Sequence, residues 1–220
     1  MTDGFPESRP AGPFRVALTF DAEHPDRPSA QGVAERILEE LDRLAAPSTF
    51  FIQGRWAEAY PTTARRIAQG GHLVGSHSHY HARMHLLSDV GLREDIRDAE
   101  RFVHEITGVD PKPWFRCPFG AGADDPRVQA AVADAGYRHV GWNVVGTDWP
   151  PHRTGQHVAD DVVDGSIAHG DGAVVLLHSW PDRALAGLIS MVSRLRDAGA
   201  EFVRVDGLDL ATIPTLPHSA

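Results

Sequence analysis

The sequence predicts a single domain of the α/β class, with a parallel sheet and helices packed outside it. Its 220 residues suit one domain with a substantial core. Short apolar runs alternate with longer amphipathic ones through most of the chain, in about seven strand–helix steps. No domain-scale linker or repeat interrupts them. Alternation of this kind implies parallel strands, closed as a barrel or open as a doubly wound sheet.

Taken in order, residues 1–14 read as an N-terminal tail. Residues 16–20 (VALTF) have a buried-strand pattern, and in 33–44 Val33, Ile37, Leu41 and Leu44 recur at helical spacing. A strand at 49–52 (TFFI) leads to a helix at 57–69, stopped by Gly70 and Gly71. A short strand at 72–75 precedes the longest helix, 88–107, capped by Ser88 and closed by Gly108. Past Pro111 and Pro113, Trp114 and Phe115 open a brief strand, followed by a helix at 126–134 and a strand at 138–145 (RHVGWNVV). A helix at 155–168 leads to the clearest buried strand, 173–177 (AVVLL). A helix at 185–198 and a strand at 202–205 complete a domain spanning 15–210, and 211–220 reads as a second tail.

Composition narrows the function classes. Hydrophobic residues at 42% and charged residues at 23% fit a globular protein and exclude a disordered or fibrous chain. The net charge of -9 comes from acidic residues spread along the sequence, which argues against a nucleic-acid partner. The lone Cys117 excludes an internal disulfide framework and a cysteine-rich zinc site. No apolar stretch approaches the ~20 residues that cross a bilayer, so no membrane partner is expected. The opening MTDGFPESRPAGPFR lacks a basic segment followed by an apolar run, so the chain as written reads as cytoplasmic. A chain trimmed of its export signal would read the same way. Oligomeric state leaves no trace in the sequence.

In a β/α barrel the chemistry gathers at the carboxyl ends of strands, so the polar residues that follow each strand carry the functional signal. Asp21 and Glu23 close the first strand, and one can bind a metal while the other takes a proton. His77 and His81 follow the third; on a helical turn, residues four apart lie ~5–6 Å from each other, within reach of a shared zinc. Two imidazoles and a carboxylate leave a position open for water, as catalytic zinc sites do. Arg116 precedes a Pro-containing turn and can hold a carboxylate through its fork of donors. Asp148 stands beside the aromatic Trp149, and His178 follows the most apolar strand, well placed for acid–base work. Each has an ordinary reading alone: a loop cap, a solvated charge, a core histidine. Their joint placement at strand ends is what points to a site.

With those residues in order, the sequence resembles the polysaccharide deacetylases of carbohydrate esterase family 4, the group containing the nodulation chitooligosaccharide deacetylases. The resemblance covers about 16–205. Thr19-Phe20-Asp21-Ala22-Glu23 corresponds to a TFDDG-type motif, His77-Ser78-His79-Tyr80-His81 to H-S/T-x-x-H, and Arg116-Cys117-Pro118-Phe119-Gly120 to R-x-P-x-G. Leu176-Leu177-His178 matches L-x-H, while D-x-x-D-W is partial: Asp148-Trp149 is kept, but Val145 stands at its first aspartate.

The resemblance implies an irregular (β/α)7 barrel in one domain. It implies Asp21 as general base, Arg116 orienting it, His178 as general acid and Asp148 tuning that acid. His77 and His81 would be two ligands of one divalent metal ion, with zinc expected and cobalt or nickel also accepted by such donors. Trp149, with Leu176 and Phe119, would bind substrate; a backbone N–H near Phe119 would help hold the oxyanion. The family's metal-binding aspartate follows the base directly, and here that position is Ala22, which cannot ligate. Some relatives carry the second carboxylate one residue later, so Glu23 is assigned as the third ligand. Should Asp21 take the metal itself, the base would be unassigned. The expected activity is removal of acetyl groups from an N-acetylated sugar or polysaccharide. Two other readings stand beside it: a metal amidohydrolase acting on a small cytosolic amide or formyl compound, and a non-catalytic carbohydrate-binding homologue.

Overall fold

The computed structural model describes residues 12–26 and 32–218. Most of the expected N-terminal tail, 1–11, and the end of the expected C-terminal one, 219–220, lie outside the described residues.

The sheet grows outward from β1 (Phe14–Ala22), the longest strand. On one side come β2 (Thr49–Ile52), β3 (Leu73–Ser76), β4 (Trp114–Phe115) and β5 (Arg138–His139); on the other come β7 (Ala173–His178) and β6 (Val144–Val145). All these pairs are parallel, and β8 (Ala200–Phe202) adds to the start of β1. The two ends of this path, β5 and β6, are neighbours in sequence, yet no ladder among the described residues joins them. The result is an irregular (β/α)7 barrel with one open seam, as the family resemblance implies.

Strand alternation decides what each face does, because successive side chains point to opposite sides. Along β1, Val16, Leu18, Phe20 and Ala22 join the large core that packs against the helices, as do Val175 and Leu177 of β7. The intervening residues point into the barrel. Ala17, Phe51, Val174 and Leu176 belong to a second, interior apolar cluster. Thr19, Asp21 and Glu23 continue the inner face of β1 upward, so the interior turns from apolar at its base to polar at its mouth. Asp21 and His178 are direct register partners on neighbouring strands.

The helices are α1 (Val33–Arg43), α2 (Gly54–Ala59), α3 (Pro61–Gln69), α4 (Asp89–Thr107), α5 (Pro126–Asp134), α6 (Gly155–His169) and α7 (Asp182–Asp197). Ser88 accepts from the Gly91 N–H at 3.1 Å and caps α4, and Gly108 ends it with φ 75°. No helix among the described residues is long and apolar enough to cross a membrane.

Several boundaries differ from the sequence reading. The single helix expected at 57–69 is two, broken at Tyr60, whose φ of -127° and ψ of 56° are not helical. Pro61 explains the break, since proline drives its predecessor out of the α region while itself suiting a helix start. The strand expected at 138–145 is also two, on opposite edges of the sheet, with 140–143 crossing the seam. The last strand ends at Phe202, and Val205 opens a short 3-10 turn. Residues 211–218 are no free tail. The Gly141 N–H donates to the Pro214 carbonyl at 2.6 Å, Trp142 bridges to Pro217, and the Trp142 indole N–H donates to the His218 carbonyl at 2.9 Å.

Candidate active site

The polar mouth of the barrel gathers the predicted residues. Asp21, Glu23, Phe119, Trp149, Leu176 and His178 line one pocket of about 480 Å³. Behind them, Arg116 reaches Asp21, Asp148 reaches His178, and His77 and His81 reach Glu23.

Arg116, just past β4, is wholly buried, and all three of its guanidinium nitrogens donate. Its Nη1 donates to Asp21 Oδ1 at 2.8 Å and to Thr19 Oγ1 at 2.7 Å. Nε donates to the Val140 carbonyl at 3.1 Å and Nη2 to the Gly141 carbonyl at 3.0 Å. One side chain thus fixes the Asp21 carboxylate and satisfies the backbone that crosses the open seam. The guanidinium plane also lies 4.0 Å from the Phe51 ring centre, where the ring's quadrupole favours a cation.

His178 is held by both oxygens of the fully buried Asp148. Oδ2 accepts from the His178 backbone N–H at 2.8 Å, and Oδ1 lies 2.7 Å from Nδ1. A carboxylate there selects the Nδ1–H form and leaves Nε2 facing Glu23, 3.9 Å away. Burial disfavours the charged ring, but Asp148, with Glu23 and Asp21, outweighs it and raises the His178 pKa to about 9. Trp149 stands edge-on to the imidazole, ring centres 5.6 Å apart.

His77 and His81 meet at Glu23, though not on a helical turn as the four-residue spacing suggests. The segment is irregular, with φ of 62° at Ser78 and 58° at His81, and the two ring centres lie 5.0 Å apart. It is pinned from outside by Asp95 of α4, a buried carboxylate that accepts from the His79 N–H at 3.1 Å and the Tyr80 N–H at 2.9 Å. The His79 ring turns away and stacks on Phe102.

Glu23 is the hub. Its Oε2 lies 3.2 Å from His77 Nε2 and contacts His81 Nε2; its Oε1 accepts from the Trp180 indole N–H at 3.2 Å and lies 3.1 Å from His24 Nε2. Burial alone would raise its pKa, yet these imidazoles hold it well below the ordinary carboxylate range. Asp21 and Glu23 outweigh burial to raise the His77 pKa, whereas burial, with His77 and His24 nearby, lowers that of His81.

The donor set fits a divalent cation. His77 Nδ1 lies 2.9 Å from the Arg116 carbonyl, an oxygen that can only accept, so in the neutral ring the proton sits on Nδ1 and the lone pair on Nε2. Both ring nitrogens of His81 are buried without a hydrogen-bond partner of sound geometry among the described residues. Among the described residues two groupings bring ligand atoms within 4.8 Å of one another, Glu23 with His24 and His81, and Asp21 with Glu23 and His178; His77 stands in neither and meets them through its contacts with Glu23 and Asp21. A carboxylate and imidazoles converging on one point are the ligands of single-ion hydrolytic sites.

Reasoning from sequence missed several participants. His24 follows Glu23 directly, and Trp180 lies two residues past His178, so proximity to a motif was their only signal. Trp142, Pro217 and His218 also line the pocket, and nothing local in the sequence marks them. A cluster of left-handed backbone surrounds the mouth: His24, Ser78, His81, Phe119 and Thr147 all have positive φ.

The comparisons with known proteins agree with this geometry. The peptidoglycan-N-acetylglucosamine deacetylase of Bacillus cereus is 28% identical over 207 residues, covering 90% of this chain and 70% of that protein. That of Listeria monocytogenes is 33% identical over 195 residues, 88% of this chain, and the match spans only 38% of that relative's length. A solved structure of T48 deacetylase with substrate superposes with a TM-score of 0.76 at 29% identity, covering 94% of this chain and 97% of that one. A family model described as polysaccharide deacetylase matches residues 8–140. With the motifs, the barrel and the family model in agreement, the chain belongs to the polysaccharide deacetylase family.

Proposed function

We propose that the chain is a metal-dependent deacetylase that hydrolyses the N-acetyl group of an acetylated amino sugar. The observation that carries this reading is the Glu23 carboxylate shared by His77 and His81, flanked by the Asp21–Arg116 and His178–Asp148 pairs. Glu23, His77 and His81 would hold the ion, for which zinc is the first candidate and cobalt or nickel also suit the donors. Such an ion supplies Lewis-acid chemistry, lowering the pKa of water toward ~7 and polarising the acyl carbonyl.

The chain's own groups divide the proton work. Asp21, oriented by Arg116, accepts a proton from the attacking water as its oxygen bonds to the acyl carbon. His178, held protonated by Asp148, gives a proton from Nε2 to the sugar nitrogen as the C–N bond breaks. Acetate and a free amine leave. Asp148 fixes the ring with its proton-bearing nitrogen toward the leaving group, and Trp149 packs edge-on against that ring.

The test is acetate release from a chitooligosaccharide, compared with small acyl amides, before and after chelation and zinc return. Stoichiometric metal in the purified protein, loss of activity on chelation and recovery with zinc are expected. Full activity in metal-free protein would overturn the reading. Turnover confined to small amides would redirect it to a small-molecule amidohydrolase.

A further inference from the structure

Resting on that reading, we infer that Val145 and Pro217 set the length of the acyl chain this site accepts. The pocket has two unlike parts. Its polar part carries Asp21, Glu23 and His178, where the acyl carbon must lie for water to attack it. Its lining also carries an apolar group, Trp142, Val145, Leu176 and Pro217, which we take as the walls of an acyl recess.

These walls form one continuous apolar surface. Val145 and Leu176 are register partners across β6 and β7. Trp142 and Leu176 share the interior cluster, and Val145 packs against it. Pro217 closes the far side through its bridge to Trp142, and a Cβ on Gly120 would stand only 2.6 Å from the Pro217 Cγ. Among these four side chains the one polar group, the Trp142 indole N–H, already donates to the His218 carbonyl. These four side chains therefore offer no free donor to a sugar hydroxyl, whose burial against them would go uncompensated; the neighbouring polar side chain of the lining, His218, is exposed. The alkyl end of the acyl group suits it.

The recess also lies directly against the reacting groups. Leu176 precedes His178 by two residues on the inner face of β7, and Val145 precedes Asp148 by three. An acyl carbon poised between Asp21 and His178 points its alkyl substituent at these walls, so their volume decides how many methylenes fit. Val145 stands where the family pattern has an aspartate, and Pro217 comes from a segment outside the motifs.

The test uses the zinc-loaded enzyme and chitooligosaccharides carrying N-acetyl, N-propionyl or N-butyryl groups. Val145→Ala and Pro217→Ala widen the recess, and each is expected to raise the butyryl-to-acetyl ratio of kcat/KM roughly 10-fold, the scale of one methylene in an apolar pocket. Val145→Leu should move the ratio the other way. Melting temperature and metal content are followed in parallel, and if Pro217→Ala loosens its segment the Val145 pair decides. Ratios within about twofold of wild type in folded, metal-loaded variants would overturn the inference. Should the wild type hydrolyse none of these substrates, the proposed function fails; the inference is then judged on the relative affinities of butyrate and acetate for the same variants, with the same directions expected.

Discussion

Asp148 shows how much one buried carboxylate decides. It fixes the rotation, tautomer and charge of His178 through two contacts, at 2.7 and 2.8 Å. Asp148→Asn removes the largest charge that opposes burial, leaving only Glu23 and Asp21 to do so, and the His178 pKa should fall from about 9 toward its ordinary value near 6.5. The sign for stability follows. In chelated wild-type protein, protonated His178 stabilises the fold fully below about pH 6.5, and that gain is lost as pH rises through about 9. The variant should lose up to ~3 kcal/mol of this pH dependence, measurable by denaturant unfolding at about pH 6 and about pH 10 beside an NMR titration of the ring. An unchanged titration would contradict it. Asp148 and its partner were legible because each follows a strand within a motif. His24 was not: its contact with Glu23 depends on a loop whose φ of 56° no sequence pattern displays.

Elements were legible wherever the apolar period was continuous, as in α1, α4 and β7. They were misjudged where a backbone event interrupts an unbroken apolar pattern, as at Tyr60–Pro61 or at 140–143, where the chain crosses from one sheet edge to the other. Asp95 is the functional case. Among Glu94, Arg97 and Asp98 it reads as one more surface charge, yet it sits on the buried face of α4 and holds the loop bearing His77 and His81. Asp95→Ala should strand two amide N–H groups, at about 1–3 kcal/mol each. With His77 and His81 as ligands under the proposed function, it should also weaken zinc binding about 10–100-fold, the usual cost of losing support behind metal ligands. Titration against a competing chelator reads the affinity separately from stability. Wild-type affinity in this variant would show that the loop holds itself.

At the scale of the whole molecule, a single guanidinium spans the seam where, among the described residues, no strand pairing laces the barrel. Arg116→Met keeps most of the volume but leaves Asp21 buried without its cation and the Val140 and Gly141 carbonyls without donors. A loss of at least ~3 kcal/mol is expected. Amide exchange should rise most at 140–143 and in the 214–218 segment bonded to it; uniform loosening would refute this role. Composition could not reveal that segment, because its attachments are made mainly by backbone groups, which every residue type carries. The positive-φ residues around the mouth bear on how such an enzyme ages and adapts. His24, Ser78, His81, Phe119 and Thr147 hold a conformation that side chains disfavour. The easiest relief for an adapting lineage would be glycine at Thr147, next to Asp148, since Ser78 accepts from the His81 N–H and cannot be lost as cheaply. Heat tolerance gained there would come at the expense of catalytic rate, so durable forms of this enzyme should carry their stabilising changes on the outer helices.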